Sequence, residues 1–257
     1  MLKLSQTVRN ISGRGGSIDG KNARVCAVLG AQWGDEGKGK LADVLAAEYD
    51  IVARFNGGAN AGHTVVDPSG RKFAFHLLPC GLMHPHTVNV LGNGVVLDFE
   101  ALEEEGEPLS AAGIEWRSRL KISNRAHILF NFHKQVDSRS EQKRGAGLIG
   151  TTKKGIGPCY TRKATRTGIR VGTLLEWDNF QKAYIQLVED HRIQFGLEDY
   201  DWKTELAKYR HYADAFGHMI IDSAHFLNKS LADGKRIIAE GANATMLDLD
   251  AGTVRFF

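Results

Sequence analysis

Short apolar runs separated by longer mixed segments set the pattern of this chain. Val25–Leu29, Ile51–Phe55, Val88–Leu91 and Arg236–Ala239 have the length and the Val, Ile, Leu and Ala content of buried strands. Arg119–Ser123 and Ile128–Phe132 are weaker strand candidates. Lys40–Glu48, Asp178–Phe195 and Trp202–Ala232 read as helical, the last long enough to be expected in pieces. Phe99–Glu107 is acid-rich and predicts the solvated face of a helix. Strands alternating with helices predict an α/β fold with a mainly parallel central sheet flanked by helices. In such a sheet ligands sit beyond the carboxyl ends of the strands.

The loops after the first two predicted strands carry the candidate chemistry. Val25–Leu29 feeds a glycine-rich turn, Gly34, Asp35, Glu36, Gly37, Lys38, Gly39 and Lys40, and the helix-like Leu41–Glu48 follows at once. Strand, glycine loop and helix N-terminus in that order make an anion cradle, because backbone N–H groups and the helix dipole converge there. Gly34, Gly39 and Lys40 satisfy the G-x-x-x-x-G-K spacing of a P-loop, but Leu41 stands where a P-loop places its magnesium-binding hydroxyl. Asp35 supplies a carboxylate that a simple phosphate cradle would avoid, and it can hold Mg²⁺ in place of that hydroxyl. The bland reading is a solvated turn whose acids suit the helix dipole; the full WGDEGKGK string disfavours it. After Ile51–Phe55 comes NGGANAGHT, in which Gly57, Gly58 and Gly62 allow tight bends. Asn60, His63 and Thr64 supply the polar groups, and His63 is the side chain suited to move a proton near neutral pH.

WGDEGKGK, GGANAGHT, GTTKKGIGP at Gly150–Pro158 and EGANATMLDLD at Glu240–Asp250, in this order, resemble the adenylosuccinate synthetases from about Arg24 to Thr253. The resemblance implies a homodimeric, P-loop-GTPase-like α/β enzyme that ligates IMP and L-aspartate at the expense of GTP, through 6-phosphoryl-IMP. It implies Asp35 as catalytic base and His63 as the group that donates a hydrogen bond or proton during phosphoryl transfer. GTP would be bound by Gly34, Asp35, Glu36, Gly37, Lys38, Gly39, Lys40, Gly62, His63 and Thr64. IMP would meet Asp35, Glu36, Gly37, Lys38, Asn60, Ala61, Gly62, His63, Thr152, Asn243 and Arg166, the last reaching into the neighbouring subunit's site. One Mg²⁺ per subunit would lie on Asp35 and the Gly62 carbonyl.

Composition narrows the alternatives. At 257 residues and 42% hydrophobic, the chain is long enough for a substantial single core, and its formal net charge of +3 is too small to imply a polyanionic partner. Thr152–Arg170 is strongly basic and reads neutrally as a surface loop, but Tyr160 is its one aromatic, which argues against nucleic-acid binding. Cys26, Cys80 and Cys159 lack metal or disulfide spacing and fit a reducing compartment. No apolar run approaches the roughly 20 residues of a membrane helix. Residues 1–23 form a basic extension outside the resemblance, expected to be a disordered tail of a cytoplasmic protein; a transit segment to an organelle is the other reading.

The C-terminus departs from the family pattern. After EGANATMLDLD the relatives run on through a GTYPFVTSS-like stretch, whereas here Gly252–Thr253 is followed by Val254, Arg255, Phe256 and Phe257. The domain at 24–257 is therefore expected to be incomplete, without the family's guanine- and aspartate-recognising segments. Asn228–Leu231 does not replace the guanine segment. An exposed apolar sheet edge prone to aggregation would follow. The other functional reading is a truncated, catalytically silent nucleotide-binding module that pairs with a full-length subunit.

Overall fold

The computed structural model describes residues 23–34, 36–67, 69–144, 150–248 and 252. Asp35 and the basic extension up to residue 22 lie outside the described residues. The chain opens with β1 (Val25–Gly30), α1 (Lys38–Ala46) and β2 (Ile51–Gly57), then a hairpin of β3 (His63–Val66) and β4 (Lys72–Phe75). β5 (Val88–Leu97), α2 (Phe99–Ala111), β6 (Leu120–Ser123) and β7 (His127–Ile128) follow. Four helices come next: α3 (Asn131–Arg144), α4 (Ile156–Ala164), α5 (Trp177–Phe195) and α6 (Trp202–Phe216). β8 (Ile220–Ile221), α7 (Ser223–Ala232) and β9 (Ile237–Ala244) complete the set.

The central sheet has the order β1-β9-β2-β5-β6-β8, all parallel, with β7 parallel to β5. The expected α/β architecture is thus observed. The last strand in sequence inserts between the first two, level with both: Ile238 lies opposite Cys26 on one side and Val52 on the other. Successive strand residues point to opposite faces, and the sequence uses both. Cys26, Val28, Val52 and Ile238 pack beneath α1, whose small Ala42 and Ala46 permit close approach. Ile51, Ala53, Val90 and Ile237 face Phe226, Leu227 and Leu231 of α7. A larger core lies under α2, α5 and α6, where Phe99 stacks on Tyr212 and Phe216.

Several elements differ from the sequence reading. Of the expected Ile128–Phe132 strand only Ile128 pairs, together with His127 before it, and Asn131 already begins α3. The aromatic run there marks burial, with Phe130 and Phe132 stacked 5.2 Å apart, rather than extended backbone. The acid-rich segment is a helix, but it is more than a solvated face. Phe99, Leu102, Gly106 and Leu109 are buried, and Glu105 accepts the backbone N–H groups of Leu77 and Leu78. The basic stretch read neutrally as a loop contains α4. Trp202–Ala232 is broken as expected, with the unforeseen β8 between its helices. β1 ends the sheet among the described residues, and its Val25 and Leu29 are exposed.

Gly106 gives a sharp test of the packing. Glycine inside a helix ordinarily costs about 0.5–1 kcal/mol relative to alanine. Here a Cβ would fall 2.1 Å from Cζ2 of Trp116. That indole is buried and donates its Nε1–H to Ser110 Oγ at 2.9 Å. Gly106→Ala is therefore expected to destabilise by about 1–3 kcal/mol, seen as a lowered urea midpoint; an unchanged or raised midpoint would contradict this packing.

Candidate functional site

The carboxyl ends of β1, β2 and β9 converge on a cavity of about 240 Å³. Gly34, Gly37 and Lys38 line it from the loop after β1, Asn60, Ala61, Gly62 and His63 from the loop after β2, and Asn243 from the end of β9. The fold thus gathers residues 209 positions apart, from Gly34 to Asn243, into one wall. Trp33, Ala242, Ala244 and Leu247 add apolar lining that the motif reading did not single out.

The β1 loop is organised by Glu36. Its Oε1 accepts the backbone N–H groups of Gln32 at 2.9 Å and Gly34 at 3.0 Å, and its Oε2 pairs with the Lys38 ammonium at 2.8 Å. Burial opposes ionisation of this carboxyl, yet Lys38 and the backbone donors outweigh it and pull the pKa down to about 2. Gly30 makes room for the pair: a Cβ there would sit 2.8 Å from both Glu36 Oε2 and Lys38 Nζ. Gly37 takes φ +79° as the residue that enters α1, a conformation that favours glycine.

His63 opens β3 with its ring laid over α1. A Cβ on Gly39 would fall 2.4 Å from His63 Cγ, so glycine is required there for close approach. The ring is buried, which together with the Arg54 and Lys38 charges lowers its pKa to about 4, while the Gly62 backbone pulls the other way. His63 is accordingly a neutral imidazole at pH 7.

Arg54 fixes the loop that carries Asn60, Gly62 and His63. It is fully buried in β2, where its guanidinium donates to the carbonyls of His76 at 2.7 Å, Gly58, and Asn56 at 3.4 Å. Asn60 Oδ1 accepts Gly58 N–H at 3.0 Å, and its Nδ2 reaches Asn243 Oδ1 at 3.5 Å. Asn56 Oδ1 accepts Ala242 N–H at 2.9 Å, stitching β2 to β9. The Tyr160 hydroxyl accepts Gly57 N–H at 2.8 Å and donates to Gly94 O at 2.6 Å. Arg54, Asn56 and Tyr160 were not singled out from the motifs as supports of this loop, although an arginine inside the apolar run Ile51–Phe55 is a visible anomaly.

Other candidates lie off the cavity wall. Gly39 is beneath the His63 ring, Lys40 is exposed on α1, and Thr64 is exposed on β3. Thr152 is exposed; its block is tied to the site loop through Lys154 Nζ, which donates to Ala59 O at 2.6 Å. Arg166 is exposed just after α4 at φ +62°, a left-handed conformation uncommon for arginine. Asp35, the candidate base, lies outside the described residues. A second cavity of about 420 Å³ opens among α3, α4 and α5, near Asp137, Thr161 and Phe195, and holds none of the candidates.

Comparison with known proteins agrees with the motif reading. The family model for adenylosuccinate synthetase matches residues 27–257. The chloroplastic adenylosuccinate synthetase of Ostreococcus tauri is 47% identical over 232 residues, covering 90% of this chain and 48% of that protein. The Phaeodactylum tricornutum adenylosuccinate synthetase is 49% identical over 226 residues, 88% of this chain and 43% of the relative. The solved structure of fully ligated adenylosuccinate synthetase from Plasmodium falciparum superposes with a TM-score of 0.84 at 46% identity, over 90% of this chain and 54% of that one. The chain spans about half the length of the curated relatives it matches.

The electrostatics of His63 can be checked directly. Its ring is expected to titrate near pH 4, far below the free imidazole value of about 6.5. Because the folded state disfavours the cation, the stability His63 contributes is present above pH 6.5 and lost as pH falls toward 4. A histidine NMR titration tests this; a His63 midpoint at or above 6.5 would contradict it.

Proposed function

The chain belongs to the adenylosuccinate synthetase family, and we propose that its glycine-loop cavity is a phosphoryl-transfer centre for GTP-dependent ligation of IMP and L-aspartate. The observation that carries this reading is the convergence of Lys38, Asn60, Gly62, His63 and Asn243 on one cavity at the strand ends. Phosphoryl transfer demands positioning and charge neutralisation more than covalent help from the protein. A loop rich in N–H donors and a buried lysine beside a helix N-terminus suit that demand.

In this reading Asp35 takes the N1 proton of IMP as O6 attacks the γ-phosphorus of GTP. The O6–P bond forms, the bond from that phosphorus to the β-phosphate oxygen breaks, and GDP leaves. The amine of L-aspartate then displaces phosphate from C6. Lys38 and the Gly34–Lys40 backbone offset the phosphate charge, and His63 donates to the transferring group. Being neutral before substrate arrives, His63 gains donor capacity as phosphate charge accumulates beside it. Asn60 and Asn243, joined through their amides, would meet IMP, and Thr152, off the cavity wall, would meet its phosphate. Arg166, exposed after α4, is free to reach a partner subunit of a homodimer.

The oxygen donor set suits Mg²⁺, a hard cation. Asp35 would provide a carboxylate and Gly62 a carbonyl, and Gly62 lines the cavity with open space where a Cβ would stand. When bound, the ion neutralises phosphate charge. Several relatives are chloroplastic by name, which favours the transit reading of residues 1–23 over a cytoplasmic tail. No helix among the described residues is long and apolar enough to cross a membrane.

The test is phosphate release by the purified 257-residue chain with GTP, IMP, L-aspartate and Mg²⁺, each omitted in turn. Release is expected only with all four, and Asp35→Asn is expected to abolish it while IMP affinity stays within a few fold. Near-normal release from Asp35→Asn would remove Asp35 from the base role. A folded chain that binds IMP without turnover would contradict the ligase reading and leave a nucleotide-binding module.

A further inference from the structure

Of the four tryptophans, Trp116 is buried, Trp177 and Trp202 are partly buried against the main core, and Trp33 stands 57% exposed. Trp33 lines the cavity at the strand ends together with Leu247, which is also 57% exposed. Backbone bonds bring these two residues to the same place. Met246 N–H donates to Gln32 O at 3.0 Å, one residue before each of them, and the Thr245 hydroxyl donates to Gly30 O at 2.7 Å. The N–H groups on either side of Trp33, those of Gln32 and Gly34, are both held on Glu36 Oε1. The chain around the indole is therefore pinned, and the ring is held at the cavity rather than folded into a core. Apolar surface kept in water is unfavourable, so a ring fixed in this position points to an occupant that covers it.

We propose that Trp33 and Leu247 form an apolar clamp for the purine base of IMP, with the indole stacked on the base. The clamp rests on the reading of the cavity as the nucleotide site and adds to it two residues that the glycine-loop motifs do not mark. The cavity lining has two characters. Gly34, Gly37 and Lys38 offer backbone and a cation to phosphate, whereas Trp33 and Leu247 offer apolar surface. A nucleotide has the matching halves, a charged phosphate and a flat base with a π-face suited to an aromatic ring. The edge of a purine also needs donors and acceptors. The side-chain amides of Asn60 and Asn243 supply both on the same lining, and Asn243 lies four residues before Leu247. Stacking is tolerant of base identity, so the clamp sets how tightly a base is held, while the amides choose among bases.

The test is acrylamide quenching of tryptophan fluorescence in the 257-residue chain, with the Trp33 signal identified by its loss in Trp33→Phe. Saturating IMP is expected to shield Trp33 from acrylamide, and ribose 5-phosphate, which lacks the base, is not. By calorimetry, Trp33→Ala should weaken IMP binding about tenfold or more while ribose 5-phosphate affinity stays within about twofold. Trp33→Phe keeps a flat ring and should retain most of the IMP affinity. The side chain is exposed, so both variants should melt as the wild type does. IMP that binds the wild type without shielding Trp33, or with an affinity indifferent to Trp33→Ala, would overturn the clamp and leave the nucleotide site standing. Equal losses for IMP and ribose 5-phosphate, or shielding by Mg²⁺–GTP and not by IMP, would also overturn it. Absence of any IMP binding to the folded wild type would overturn the nucleotide-site reading and the clamp together.

Discussion

The buried guanidinium of Arg54 is the constraint on which the site depends. It sits in β2 level with Glu240 of β9; burial works against the charge on both groups, and each partly offsets that effect for the other. A buried ion is tolerated only when paired and hydrogen-bonded, and removing one partner of such a pair typically costs about 3–5 kcal/mol. Arg54 spends its remaining donors on the carbonyls of Asn56, Gly58 and His76. That choice bends the chain after β2 into the loop that presents Asn60, Gly62 and His63. Arg54 therefore ties the polar loop to β2, with Glu240 level with it on the neighbouring strand.

A second, more exposed lock governs the other wall. Glu36 gathers the N–H groups of Gln32 and Gly34 and the Lys38 ammonium onto one carboxylate. These are the kinds of donor that a phosphate would use at a glycine loop. An incoming phosphate that engages them must draw them away from Glu36. The acid in this loop thus has a local structural task, orienting the lysine, separate from the base role proposed for Asp35. Gly30 and Gly39 are needed because side chains, Glu36 with Lys38 in one case and His63 in the other, occupy the space a Cβ would take.

Much of this was legible in the sequence where local chemistry decides the outcome. The four main apolar runs are strands because each is short, β-branched and flanked by breakers, and the two glycine loops fall at strand ends as a parallel sheet requires. The order in space was not legible. Nothing local reveals that the strand at Ile237–Ala244 inserts between the first two and thereby brings Asn243 to the loops of Gly34 and His63. Nor does spacing reveal the pairing of Arg54 with Glu240, 186 positions apart. α3 escaped notice because its sequence is polar with few apolar positions, so its helix is stabilised by neighbours rather than marked by a stripe. The aromatic run at Ile128–Phe132 misled because aromatic content signals burial as readily as strand.

The central claim is that the nucleotide site is the cavity at the ends of β1, β2 and β9. The most direct measurement is backbone amide shift mapping on titration with IMP and Mg²⁺–GTP. Saturable changes are expected, centred on Gly34, Gly37, Asn60, Gly62 and Asn243 and weakened strongly by Lys38→Ala. Changes centred instead on Asp137, Thr161 and Phe195 around the larger cavity, or binding indifferent to Lys38→Ala, would contradict it.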